Sequence, residues 1–230
     1  MNTLISTEKT ANGAPAAGRR VVDAPIRAFH ALFAACFAGA WLTGDSEHWR
    51  LVHVTLGYTF IGLLVFRLIW GMAGPRQARL SLLWRKLRHL PDARALHQTP
   101  QRRAALQWVL TATVAGMLLS TLPLTLSGYA VYSEWGGEWL EEVHELMANG
   151  FLMLVGAHLM LLLVLSRIQR QNLARPMPTG RRAEPGVDLV KRNHGGVALA
   201  LLLTVLAFWV WQATQGTVNA VGERMEQEDD

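Results

Sequence analysis

The chain has 230 residues, 51% of them hydrophobic and 17% charged, with a formal net charge of +5. Its charges stand in blocks between apolar runs close to the ~20 residues a helix needs to cross a bilayer, which excludes an ordinary soluble domain. The basic residues fall in the connections and no nucleic-acid recognition module accompanies them, so membrane lipid, and no nucleic acid, is the expected partner. The one cysteine, Cys36, excludes an intrachain disulfide and a multi-thiolate metal site; within an apolar run it reads as a small packing residue.

Residues 1–24 are polar and rich in Ala and Gly, lack the apolar core of a signal peptide, and read as a disordered cytoplasmic tail. A first apolar span covers about residues 28–44 and a second about 49–72; the few residues between them make these helices antiparallel neighbours. Residues 73–104 form a basic connection in which SLLWRKLRHL carries apolar and basic groups at helical spacing, as a helix lying on a lipid surface does. A third span runs over about 104–126 with Pro123 near its far end, followed by an acidic, aromatic turn, SGYAVYSEWGGEWLEE. The fourth span occupies about 140–167. Residues 167–195 hold three prolines and read as an irregular basic loop, and a fifth span at about 195–213 precedes the acidic ERMEQEDD. The expected fold is an all-α integral membrane protein: a four-helix transmembrane bundle over residues 25–182, then a loop, a fifth transmembrane helix and an acidic tail over 183–230.

Lysines and arginines sort by side. Four lie in the segment through Arg27, eight in 73–104 and seven in 167–195, against Arg50 and Arg224 alone on the opposite side; Arg67 is inside a span. Positive loops stay inside, so the N-terminus is expected in the cytoplasm and the C-terminus in the periplasm.

That topology gives each span histidine a depth. His30 opens the outward-running first span and lies near the inner face. His53 opens the returning second span near the outer face. His144 and His158 stand fourteen residues apart on the fourth span, on one stripe and separated by ~21 Å. The levels pair His53 with His144 and His30 with His158. Ionisable groups are costly in lipid, so four of them at two matched depths point to a shared purpose. Two imidazoles facing each other across a flat macrocycle suit haem iron, whereas zinc needs three or four converging ligands. Gly57, Gly62, Gly150 and Gly156 fit either close backbone approach to a macrocycle or tight helix packing. Arg67, fourteen residues after His53, reaches the inner level, where it either pairs with a haem propionate or snorkels to the surface. Arg27, just before His30, is either a second propionate partner or a membrane-edge residue. His48, His89, His97 and His194 fall in polar connections and read as solvated.

The stretches RAFHALF, VHVTLGYTFIGLLVFRLIWGMAGPRQARL and LSGY…VHELMANGFLMLVGAHL, trailing into NLARPMPTGRR, resemble the prokaryotic cytochrome b561 family. That family includes the cytochrome b subunits of membrane-bound nickel–iron hydrogenases and, more distantly, the gamma subunit of formate dehydrogenase. The resemblance implies two b-type haems in a four-helix bundle, with His30, His53, His144 and His158 as ligands. It also implies electron transfer across the inner membrane between a redox partner and the quinone pool. The partner would be a hydrogenase, a dehydrogenase or a c-type cytochrome. The alternative is a self-contained quinone-linked oxidoreductase of the superoxide or ferric reductase type, working at the outer haem. The turn bearing Glu134, Glu138, Glu141 and Glu142 is either a solvated loop or the rim on which a basic partner docks.

Overall fold

The computed structural model describes residues 18–91 and 99–229, with side chains to residue 215. Residues 1–17 and His97, and the expectations attached to them, lie outside that range. The described chain is all helical: α1 (Ala24–Thr43), α2 (Arg50–Ala73), α3 (Leu80–Arg88), α4 (Thr99–Tyr132), α5 (Glu138–Gln169), the single turn α6 (Pro176–Thr179) and α7 (Gly195–Asp229). Five of these are long and apolar enough to cross a membrane. Large apolar side chains face outward along them, Leu119, Met153 and Leu159 among others, as lipid-facing residues do.

Local chemistry sets the boundaries. Asp23 caps α1 by accepting from the backbone N–H of Ile26, and Pro25 sits in the first turn, where no intrahelical donor is missed. Pro75 follows the end of α2 at Gly74. The α4–α5 turn is made by Glu134, Gly136 and Gly137, all at positive φ, and Glu138 and Glu141 then occupy the first turn of α5, where the helix dipole favours anions.

Two elements are longer than the sequence reading gives them. α4 runs through Pro123 to Tyr132, so the acidic turn shrinks to residues 133–137, and α7 carries the acidic tail as helix to Asp229. Pro123 removes one backbone donor and leaves the rest of the ladder to carry α4 through it. In α4 the hydroxyls of Thr113, Ser120, Thr121 and Thr125 each donate to the carbonyl four residues back, so none is left unpaired in lipid.

The bundle is two antiparallel hairpins, α1–α2 and α4–α5, joined through α2 and α4, with α7 laid on α1 and touching α2. The indole of Trp209 on α7 donates to the Thr59 hydroxyl on α2 at 2.8 Å. The end that carries the two long connections is here termed the basic end, the other the acidic end. At the basic end, α3 turns its leucines inward and exposes Arg85, Lys86 and Arg88, while Trp108 of α4 donates to the Leu87 carbonyl. Residues 18–22 run against the 180–190 loop, with Arg20 bridged to Arg181. Arg27, read from the sequence as a propionate partner or a membrane-edge residue, donates to the carbonyls of Met177 and Pro178 at 3.1 and 2.6 Å and so fastens that loop to α1.

Candidate cofactor site

At the acidic end the rings of His53 and His144 face each other across the bundle, with centroids 6.1 Å apart and planes at 83°. Each ring is held by a helix other than its own. His53 Nδ1 lies 2.9 Å from the carbonyl of Ala40 on α1. His144 Nδ1 lies 3.1 Å from the carbonyl of Leu124 and 3.1 Å from the Ser127 hydroxyl, both on α4. A ring nitrogen against a carbonyl carries the proton of a neutral imidazole, so in both residues the lone pair is on Nε2. Gly128 makes room for this: a Cβ there would stand 2.8 Å from His144 Cε1. All four helices of the bundle therefore shape one site.

The basic end is arranged differently. There α1 carries His30 and α5 carries His158, and no ring contact or hydrogen bond joins the two among the described residues. His30 is exposed, and the Nδ1 of His158 is buried with no hydrogen-bond partner. Among the described residues no third His, Cys, Asp or Glu joins either pair.

A layer of phenylalanines separates the levels. Phe33 stacks on Phe60 at 4.0 Å, Phe37 lies 4.6 Å from Phe151, and Phe60 meets Phe151 edge-on at 5.4 Å. Sequence reasoning passed over these residues, yet a signal exists. Phe37 follows His30 by seven residues, Phe60 follows His53 by seven, and Phe151 is midway between His144 and His158. Seven residues are two helical turns, so each phenylalanine lies on its histidine's stripe, ~10 Å along the axis.

Of the residues singled out in the sequence, Arg67 gains a partner of its own: its Nη1 donates to the Ala78 carbonyl at 3.0 Å, bracing the turn between α2 and α3. Asp23, 2% exposed, accepts from the Trp70 indole at 2.9 Å. His194 is read from the sequence as solvated, but its ring packs edge-on to Trp70 at 5.4 Å and its Nδ1 is buried. His48 and His89 are exposed. A Cβ at Gly57, Gly62, Gly150 or Gly156 would meet no atom within 4 Å, so these four are not the close helix contacts that tight packing requires. Cys36 is fully buried in the apolar core.

Five apolar helices with histidines paired inside them define a multi-pass helical membrane protein with a polar site in its bundle. The family profile of prokaryotic cytochrome b561 matches residues 21–180, and the chain belongs to that family. It is thus a bacterial membrane b-type cytochrome, binding haem b and carrying electrons. No curated protein and no solved structure matches it significantly. Residues 181–230, including α7, lie beyond the matched region.

Proposed function

We propose that this cytochrome holds two b haems, His53 and His144 ligating the outer one and His30 and His158 the inner one. It would relay electrons across the inner membrane between a redox partner and the quinone pool. The observation that carries the reading is the acidic-end pair. The His53 and His144 rings lie 6.1 Å apart centre to centre on neighbouring faces of the bundle, so the two residues could together hold one haem iron. In both, a backbone carbonyl engages Nδ1, which fixes the ring and leaves Nε2 for a ligand bond. For the inner pair, the buried, unpartnered Nδ1 of His158 supports a role not met by the protein alone. Bound haem supplies one-electron chemistry at each level.

The chain's own residues do the rest. The phenylalanine layer fills the space between the levels and keeps water and ions from crossing there. Arg67 spends one of its five N–H donors on Ala78; the others are available to a propionate at the inner level. The basic connections keep the inner level cytoplasmic and the α4–α5 turn periplasmic. That turn, with Glu134, Glu138, Glu141 and Glu142 exposed, attracts a basic partner such as a c-type cytochrome and repels anions, which favours a protein partner over superoxide as donor.

A reduced-minus-oxidised spectrum with a haem assay on the purified chain tests the reading; two haem b per chain are expected. One haem per chain would remove the dihaem assignment. Partner docking is tested by the rate of outer-haem reduction as salt is raised. It should fall as the Debye length shrinks from ~30 Å at 0.01 M to ~8 Å at 0.15 M. With the four glutamates changed to glutamine it should be low and flat; identical curves would place the partner elsewhere.

A further inference from the structure

The turn after α5 folds back over the end of that helix. Ser166 Oγ accepts from the backbone N–H of Leu173 at 3.1 Å, and Asn172 Oδ1 accepts from the N–H groups of Ala174 and Arg175. The fold-back leaves an open surface groove of about 610 Å³ lined by Leu159, Leu162 and Leu163 on the lipid-facing side of α5 and by Arg167 and Arg170 at the helix end. The leucines lie within the apolar span and the arginines at its end, so the groove straddles the membrane surface at the basic end. Leu159 and Ser166 stand about a quarter turn around the α5 axis from His158 and Leu162 about 40° from it, so the groove borders the stripe that carries His158.

Charge identifies the occupant. Among the described residues neither arginine is within 4 Å of a carboxylate, and the nearby Glu184 is engaged by Arg19 and by Gln171. Arg170 also sits in the left-handed region, φ +51, at the C-terminal cap of α5, a position glycine fills without steric cost. A strained arginine at a site where glycine would do points to a use for its side chain. Orientation in the membrane requires positive charge somewhere in this loop, but it requires neither a groove nor that backbone. We propose that the groove seats an acidic phospholipid, its phosphate bound between Arg167 and Arg170 and an acyl chain laid along the three leucines.

The test uses the haem-loaded full chain in detergent. Binding of phosphatidylglycerol and of phosphatidylcholine is measured by native mass spectrometry, and the thermal midpoint is followed through loss of the haem absorbance. Phosphatidylglycerol should bind and raise the midpoint; phosphatidylcholine at the same concentration should not. The double variant Arg167→Gln/Arg170→Gln should bind phosphatidylglycerol about thirtyfold more weakly, the weight of two basic side chains at a membrane surface. Arg85→Gln/Arg88→Gln, which removes equal charge from α3, should bind as wild type does. Should the double variant not fold, Leu163→Trp fills the groove with both arginines intact and should lose the lipid. Equal binding of the two lipids, equal loss in the α3 control, an undiminished groove variant, or a midpoint rise reproduced by inorganic phosphate would each overturn the assignment. So would retention of a short-chain quinone in place of the phospholipid.

Discussion

The two histidine levels belong to one bundle and share one helix, yet they are built differently. At the acidic end both imidazoles are oriented by carbonyls of neighbouring helices, and Gly128 is cut to the shape of one ring. At the basic end His30 is exposed and His158 keeps an unsatisfied nitrogen. On the proposed dihaem reading, a ligand already held in its binding orientation loses less freedom when the cofactor enters, so the two levels would differ in how much of the binding cost folding has met. Under mild chaotrope the inner haem should therefore leave before the outer one, as read from sequential loss of two spectral components.

Removing a ligand breaks the comparison most severely. His53→Ala and His144→Ala should each reduce haem content from two to one per chain and delete the same spectral component; His30→Ala and His158→Ala should delete the other. If His30→Ala and His53→Ala abolish one and the same component, the pairing by depth is wrong.

Phe151 serves both levels equally, so its loss should not discriminate between them. Phe151→Ala removes a side chain only 1% exposed and should cost about 3–5 kcal/mol in unfolding while both components remain. Loss of one haem alone would show that the layer belongs to that site. Gly128→Val should act on one level only: the new Cβ crowds His144, and outer-haem affinity should drop about 10–100-fold, as for other changes to the shell around a metal ligand. The smallest effect belongs to Ser127→Ala. His144 Nδ1 keeps the Leu124 carbonyl, so about 1 kcal/mol or less should separate the variant from wild type in outer-haem retention.

The membrane class and the five spans were legible in the residues because the forces involved are local or nearly so. Apolar run length follows from bilayer thickness, and a fourteen-residue interval returns to the same helix face whatever surrounds it. The ends of α4 and α7 were not legible. Pro123 costs α4 one backbone hydrogen bond, which a sequence reads as a helix end, yet within the packed bundle the helix continues to Tyr132. Nor could sequence assign the carbonyls of Ala40 and Leu124 to His53 and His144, since every residue offers a carbonyl and only the packing of α1 on α2 and of α4 on α5 selects two of them. Arg67 and His194 taught the same point. Both are polar side chains near a membrane edge, where solvent is the default partner, but the fold brings Ala78 and Trp70 within reach and the nearer partner wins. Periodicity is a property of one helix; the orientation of a ligand is decided between helices, by which faces meet.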